Sequence, residues 1–267
     1  MIMPGRNIAD AMNTGLGAKI NDFGMWLGKK VVWGLDGFYA RHSKLGDHEF
    51  FDNRDFPWIP EVEAQWHKVR EELDRLLPYT AHLQNFQDLS KDVGRHISQD
   101  EGWKTFFLYA FGLKLSGNCR RCPETAKLVK SIPGMKTAMF SILAPGKHLP
   151  EHRGPYKGVL RLHLGLLIPE PTDLCTIRVR SEFRHWQEGK VLIFDDCFAH
   201  EVWNNSDSIR VVLFLDITRP MRFPANVVNA VMTWAIALSP FVLGPLGSYL
   251  RWERRFEKIV NEGKAQQ

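Results

Sequence analysis

The feature that most constrains the fold is a series of short alternating segments in the second half of the chain. From Thr137 onward, five stretches show the period of two that is typical of β-strands: TAMFSIL, GVLRLHLGLLIP, CTIRVR, KVLIFDD and RVVLFLDIT. Turns rich in Gly, Pro, Asn and Asp separate them, with almost no helical pattern in between. Strands at such short spacing predict a jelly roll or another closed β-barrel.

Helical patterns precede these strands. The run EVEAQWHKVREELDRLL has apolar residues at steps of three and four, which predicts a helix with Pro60 in its first turn. A second short helix is expected over Pro123–Ser131. The expected fold class is therefore mainly β with flanking helices (α+β), built around a jelly-roll core.

Length and composition suit one globular domain with appendages, since the chain has 267 residues, 44% of them hydrophobic and 24% charged. The net charge of +5 is mild and its basic residues are interspersed with acidic ones, so a nucleic-acid partner has little support, whereas a membrane surface would suit this charge. Four cysteines without a secretory signal pattern favour a reducing, cytoplasmic compartment. Cys119 and Cys122 form a CxxC for which a structural role is expected, because a zinc site would need a second pair.

Residues 223–250 contain no charged side chain and reach the length of a membrane helix, although prolines and asparagines interrupt them. Arginines flank both ends, whereas a single crossing would place one basic cluster outside, against the positive-inside tendency. We therefore expect a helix or broken hairpin that lies in the cytoplasmic face of a membrane. The alternative is a hydrophobic helix that packs on the barrel or in a dimer.

Histidines and arginines occur where a barrel would place functional groups. His152 and His200 lie at the ends of strand-like segments, and neutral imidazoles suit divalent iron, copper or zinc. Arg210 enters an otherwise apolar strand, where a buried guanidinium needs an anion and its planar fork matches a carboxylate. Arg161 and His163 share one strand face because they lie two positions apart. Each alone is commonly structural, but the combination indicates a lined cavity.

Three segments, HRGPYKGVLRLHLGLLIP, WQEGKVLIFDDCFAHEVWN and RVVLFLDITRP, together resemble the aspartyl/asparaginyl β-hydroxylase family, which also contains bacterial lipid A acyl-chain hydroxylases. The resemblance runs from about Phe56 to Pro220. It implies a double-stranded β-helix oxygenase that uses Fe(II), 2-oxoglutarate and O2 to hydroxylate an unactivated C–H bond. We expect three regions: a peripheral amphipathic segment (1–50), the oxygenase domain (51–222), and an apolar membrane-associated segment with a basic tail (223–267).

The resemblance implies a metal site. His152 and His200 are similar to the family's iron ligands, whereas Gly154 stands where most such oxygenases have a carboxylate ligand. The animal members share this absence, and water is expected to fill the place. Asp195 and Asp196, just before His200, are expected either to orient an iron-bound imidazole or to cap the loop.

The resemblance also implies a set of contacts for 2-oxoglutarate. Arg210 is similar to the partner of the distal carboxylate, helped by Ser141. Arg161 and His163 are similar to contacts to the carboxylate nearer the metal. A non-enzymatic jelly-roll binding module, the alternative from another class, has no need of such a complete set.

The sequence gives conflicting indications of the substrate. Val159 occupies the position where the animal enzymes have an arginine suited to a substrate carboxylate, and the apolar stretch favours a lipid. The glycine at position 154, however, is more similar to the protein hydroxylases. We predict a hydroxylase of a membrane-lipid acyl chain on the cytoplasmic side of a membrane. The alternatives are a peptidyl aspartyl/asparaginyl β-hydroxylase, or an enzyme acting on a free amino acid or natural-product intermediate.

Overall fold

A computed structural model describes residues 30–89, 97–98 and 100–265. The first 29 positions of the expected peripheral segment lie outside the described residues. The helices are α1 (Asp36–His42), α2 (Ile59–Ala64), α3 (Trp66–Leu76), α4 (Phe86–Leu89), α5 (Ser116–Arg121), α6 (Pro123–Ser131), α7 (Ala225–Ala237) and α8 (Pro240–Ala265), with 3-10 turns at Asn53–Asp55, Leu77–His82 and Thr172–Leu174.

Two antiparallel sheets form the centre of the protein. The strands are β1 (Phe50–Phe51), β2 (Gln84–Asn85), β3 (Trp103–Ala110), β4 (Leu113–Lys114), β5 (Met135–Leu143), β6 (His148–His152), β7 (Val159–Leu167), β8 (Cys175–Val179), β9 (Glu182–His185), β10 (Val191–Phe194), β11 (His200–Asn204) and β12 (Arg210–Thr218). The large sheet has the order β1-β10-β7-β12-β5-β3-β2, with β4 beside β3, and the small sheet has the order β6-β11-β8-β9. This is the predicted jelly-roll core with flanking helices.

The period of two divides the core into two layers. On β7, Leu160 and Leu162 point away from the small sheet and pack with the helices, in the same cluster as Phe256 of α8. Arg161 and His163 alternate with them and point between the sheets, paired in register with Asp216 and Phe214 of β12. The polar face of β7 is therefore the interior of the barrel.

Both predicted helices are present, with one difference. The helix expected from Pro60 is divided at Gln65 into α2 and α3. The Glu63 carboxylate at the end of α2 accepts hydrogen bonds from Lys190 Nζ and from the Val191 amide, both at 2.9 Å. These contacts tie the end of α2 to the start of β10, next to the point where the helix is interrupted. The helix at Pro123–Ser131 has the predicted bounds.

The apolar stretch forms α7 and the first turns of α8. No single helix of the described residues is long and apolar enough to cross a membrane; α7 and 242–262 of α8 meet that criterion only as a pair, bent by 49°. Tyr249 ties α8 to the barrel, because its hydroxyl accepts hydrogen bonds from the Phe107 amide at 2.8 Å and from Asn118 Nδ2 at 2.9 Å. Arg219, one of the flanking arginines, is buried in an ion pair with Asp195.

Candidate active site

Strands β6 and β11 bring two histidines together at one rim of the barrel. His152 ends β6, His200 begins β11, and the two residues are direct partners across the ladder. Their ring centroids are 4.1 Å apart. His152 Nδ1 lies 2.7 Å from the Pro150 carbonyl and His200 Nδ1 lies 3.0 Å from the Phe198 carbonyl. Because a carbonyl only accepts, each Nδ1 donates, which leaves each Nε2 lone pair for a metal.

The surroundings keep both histidines neutral. Burial lowers the pKa of His152 to about 4. Burial, reinforced by the neighbouring His152, lowers the pKa of His200 well below its ordinary value. A metal must otherwise displace a proton from a histidine, so imidazoles that are neutral at pH 7 are ready ligands. The pair fits a divalent transition metal.

A carboxylate stands beside this pair, but it does not come from position 154. The Gly154 amide donates a 2.6 Å hydrogen bond to the Asp196 carbonyl, and a Cβ at position 154 would lie 1.9 Å from Asp196 Oδ2. The loop before His200 therefore fills the space that a carboxylate at position 154 would need. Burial raises the pKa of Asp196 to about 6, although Arg161 Nη1 lies 2.8 Å from Oδ2.

The adjacent acid has a different environment. Asp195 is fully buried in an ion pair with Arg219 and lies 2.9 Å from Lys157 Nζ, while its Oδ1 accepts from the Cys197 amide at 3.0 Å. The side chains of residues 195–197 lie close enough together to surround a cation. Two cationic groups already neutralise the Asp195 carboxylate, however, and burial raises the pKa of the Cys197 thiol. This arrangement favours a structural role for Asp195 and leaves Asp196 facing the site.

A guanidinium with unsatisfied hydrogen-bond donors lies inside the barrel. Arg210 is buried, and within the described part of the chain its Nε and Nη1 make no hydrogen bond. Its guanidinium carbon lies 4.5 Å from the centroid of the Trp186 ring. Burial lowers the pKa of Arg210 to about 10, so it is still charged at neutral pH. An unpaired buried charge is costly, so an anion bound beside this guanidinium would relieve that cost.

Two further predicted residues line the same interior. His163 is buried among Trp186, Phe194 and Phe214, and neither of its ring nitrogens has a hydrogen-bond partner among the residues that the structure describes. Burial, reinforced by the charge of Arg210, holds the pKa of His163 well below its ordinary value. The Ser141 hydroxyl oxygen accepts a 3.0 Å hydrogen bond from Trp103 Nε1, and its own proton is left to donate.

Arg161 differs from Arg210 because it is already neutralised. Its Nη1 lies 2.8 Å from Asp196 Oδ2, and its Nε donates to Asp216 Oδ1 at 3.0 Å. Burial would lower the pKa of Arg161, but the two carboxylates raise it. The guanidinium also lies 4.2 Å from the centre of the Phe214 ring. Arg161 therefore joins β7, β12 and the loop before His200 into one charged cluster.

A pocket with about 200 Å³ of space opens beside His152. Its polar end holds the charged cluster of Arg161, Asp196 and Asp216. The other walls are mostly apolar and come from the large sheet, from its flanking segments and from α8: Phe86, Ile97, Trp103, Phe107, Ala110, Phe111, Leu115, Met139, Phe214, Val242, Pro245, Leu246 and Tyr249. The apolar stretch of the sequence thus forms one wall of the candidate active site.

Our sequence reasoning assigned no role to Asp216 or Trp186. Asp216 had a detectable signal, because it follows Arg210 by six positions on one strand and so shares its face. Trp186 had none, since it precedes β10 in a loop and reaches Arg210 and His163 only through the fold.

The fold and the site together define a jelly-roll protein with a pair of neutral histidines at the barrel rim and a buried arginine with unsatisfied donors in its interior. A family profile described as Aspartyl/Asparaginyl beta-hydroxylase matches residues 63–220, more than half of the chain. The chain belongs to this family, and it is accordingly an enzyme of a hydroxylase family, as the resemblance implied.

Curated relatives differ in the substrates that their names state. An "Ornithine lipid ester-linked acyl 2-hydroxylase" from Rhizobium tropici is 49% identical over 227 residues, which are 85% of this chain and 80% of that protein. The human "Aspartyl/asparaginyl beta-hydroxylase" is 33% identical over 62% of this chain and 22% of that protein. The human "Aspartate beta-hydroxylase domain-containing protein 2" is 34% identical over 64% of this chain and 50% of that protein.

Proposed function

We propose that this protein is an Fe(II)- and 2-oxoglutarate-dependent hydroxylase that acts on an acyl chain of a membrane lipid. The observation that carries the proposal is the apolar pocket that ends beside His152 and the Arg161 cluster. Such a pocket suits a hydrocarbon chain whose polar end, and whose reacting carbon, lie next to the metal. The similarity to an ornithine lipid ester-linked acyl 2-hydroxylase supports the same substrate class.

The side chains present fit Fe(II). Nε2 of His152 and Nε2 of His200 would hold the ion, and the carbonyl acceptors at their Nδ1 atoms would orient both rings. The Asp196 carboxylate, which lines the same pocket as His152, would be free to accept a hydrogen bond from a group bound there. Bound Fe(II), with 2-oxoglutarate and O2, would supply the oxidising chemistry that inserts one oxygen atom into a C–H bond and releases succinate and carbon dioxide.

The interior cation fits 2-oxoglutarate. The guanidinium of Arg210, whose Nε and Nη1 have no hydrogen-bond partner among the described residues, would bind a carboxylate, and pairing with it would relieve the cost of burying the charge. The Ser141 hydroxyl would donate a further hydrogen bond to the same group. His163, neutral and unpartnered, would contact the co-substrate closer to the metal. Trp186 fixes the plane of the guanidinium by stacking on it.

Charge argues against an acidic peptide substrate. In the described part of the chain, the two arginines that line the pocket are Arg153 and Arg161. Arg153 pairs with Asp36 at 2.7 Å, and Arg161 pairs with Asp196 and Asp216. Neither of these arginines is therefore free to pair with a substrate carboxylate, which would also lie near the carboxylates of Asp196 and Asp216. An uncharged acyl chain avoids both costs.

The test is mass spectrometry of total lipids and of the proteome from cells with the gene, without it, and with the gene for His152→Ala. We expect acyl lipids that gain one oxygen atom only with the intact gene. A gain of one oxygen on aspartyl or asparaginyl residues, with lipids unchanged, would replace the lipid by a protein substrate. If neither lipids nor proteins change, the proposal is wrong.

A further inference from the structure

The outer face of α7 is apolar, which is unusual for a helix at the surface of a protein. Val227, Val231 and Trp234 recur at steps of three and four and are 51%, 59% and 67% exposed. Leu238 continues this face, which also carries alanines. Seven of the ten large hydrophobic side chains that are exposed in the described residues lie between 223 and 250, so the exposure is concentrated in one patch.

The opposite face of α7 is fixed to the barrel by polar contacts. Asn229 is buried, accepts a hydrogen bond from the Tyr156 hydroxyl and donates one from Nδ2 to the Gly158 carbonyl at 2.8 Å. Val228 and Met232 pack in the cluster around Tyr156. These contacts hold α7 against the protein along one side, so its apolar side faces outward.

The patch continues into the pocket through α8. Leu243 and Leu250 are exposed on the outside of the helix, whereas Val242 and Leu246 line the pocket from the inside. Only the first turns of α8 therefore separate the patch from the space beside His152. Beyond Tyr249, which ties the helix to the barrel, α8 has no part in the pocket walls.

Basic side chains border the patch. Arg222 before α7 is exposed, and so are Arg251, Arg254 and Arg255 on α8. Between them, residues 223–250 carry no charge. An apolar strip with an exposed tryptophan and flanking arginines is complementary to a bilayer surface, with apolar groups among the acyl chains and cations at anionic headgroups.

We propose that this face, named here the docking face and formed by the exposed side of α7 and the first turns of α8, inserts into the surface of an anionic bilayer. It then delivers an acyl chain past Val242 and Leu246 into the pocket. The inference rests on the proposed function for the nature of its partner. Because one side of α7 stays fixed to the barrel, the protein lies on one leaflet and does not cross the membrane.

The first test is flotation of the full chain with vesicles of equal parts phosphatidylcholine and phosphatidylglycerol. Val231→Asp together with Trp234→Asp should weaken vesicle binding at least about tenfold, since each removes a large apolar group from the lipid. The matched control is Phe183→Asp, because Phe183 is 53% exposed on β9 of the small sheet, away from the docking face. It should float like the unmodified protein. Equal flotation of all three proteins would overturn the proposal.

A second test of docking introduces no charge into the docking face and instead uses a dye attached to a new cysteine. The native cysteines among the described residues are buried, so a polarity-sensitive dye on Ala235→Cys reports on the docking face. We expect a blue shift when vesicles are added, and no shift for the same dye on Phe183→Cys. Absence of a shift at position 235 would contradict docking. A dimer in solution that Trp234→Asp dissociates would show that the face is instead a subunit interface.

Activity separates this inference from the proposed function. The double variant should form succinate at the unmodified rate on an acyl lipid dispersed in detergent micelles, and at least about tenfold more slowly on the same lipid in vesicles. Equal rates on vesicles would overturn docking and leave the hydroxylase proposal intact. If an acyl lipid in micelles supports no succinate formation by the unmodified protein, the proposed function fails, whatever the flotation shows.

Discussion

Asp196 occupies the space that any side chain on Gly154 would need, since a Cβ there would lie 1.9 Å from Asp196 Oδ2. The two residues are also joined through the backbone, because the Gly154 amide donates to the Asp196 carbonyl at 2.6 Å. The acidic group of the site thus comes from the loop before His200. Position 154 has no carboxylate because the Asp196 side chain already fills the space that one would need.

This contact gives a prediction about stability. Gly154→Ala should lower the free energy of unfolding by about 1–3 kcal/mol, because the methyl group overfills the site. In an Asp196→Ala background the same substitution should cost much less, because the obstructing carboxylate is gone. Urea unfolding of the four proteins measures this coupling. Equal costs in the two backgrounds would show that the two side chains do not compete for the space.

The histidine pair predicts the metal requirement. His152→Ala and His200→Ala should each abolish specific Fe(II) binding under anaerobic titration, because each removes one of the two ligands that we propose. His148→Ala is the matched control: His148 is on the same strand but half-exposed, and pairs with Glu201 at 2.7 Å. The control should bind Fe(II) normally. If either of the first two variants still binds Fe(II), the histidine replaced in that variant is not a metal ligand.

Replacement of Arg210 should have opposite effects on the stability of the protein and on its binding of 2-oxoglutarate. Arg210→Met should raise the melting temperature of the ligand-free protein, because it removes an unpaired buried charge. It should also weaken 2-oxoglutarate binding by at least about 30-fold, since a lost charge pair costs on the order of 2 kcal/mol or more. Calorimetric titration and thermal unfolding measure both effects, with the exposed Arg251→Met as control. An unchanged affinity for 2-oxoglutarate would show that Arg210 does not bind its carboxylate.

His163 predicts how stability depends on pH. Its pKa in the folded protein is well below its ordinary value, so at acidic pH the unfolded chain binds a proton that the folded protein does not. The contribution of His163 to the free energy of unfolding is therefore fully present above the unfolded pKa of about 6.5. Below that pH it falls by about 1.4 kcal/mol per pH unit.

Replacement of this histidine should remove that slope. Below about pH 6, the stability of metal-free His163→Phe in urea unfolding should depend on pH less steeply than that of the unmodified protein, by up to about 1.4 kcal/mol per pH unit. The exposed His185→Gln is the control and should leave the slope unchanged. Parallel pH profiles for His163→Phe and the unmodified protein would contradict burial of a neutral imidazole at this position.

The strands that could be predicted from the sequence are those with long runs of apolar or alternating side chains. The predicted segments at β5, β7 and β12 correspond to strands of nine residues each. Strand β3 escaped detection because its register shifts between Phe107 and Tyr109, which interrupts the alternation of its side chains. Strands β6 and β9 are too short and too polar to show a recognisable alternation of apolar and polar side chains.

The site was partly predictable for the same reason. The shared face of Arg161 and His163 follows from the strand period alone, and it does point into the barrel. The contact between Asp196 and Gly154 does not follow from any local pattern, because it joins a loop to a strand end far away in the sequence. The neutralisation of Arg161 by two carboxylates likewise depends on the packing of three separate elements.

The fate of molecular oxygen tests the proposed hydroxylation most directly. The purified full chain would be incubated with Fe(II), 2-oxoglutarate and an acyl lipid in detergent micelles under ¹⁸O2, and the lipid analysed by tandem mass spectrometry. We expect one ¹⁸O atom on the acyl chain, formed together with succinate and lost in His152→Ala. Succinate without labelled lipid, or label on an aspartyl or asparaginyl peptide instead, would contradict the proposal.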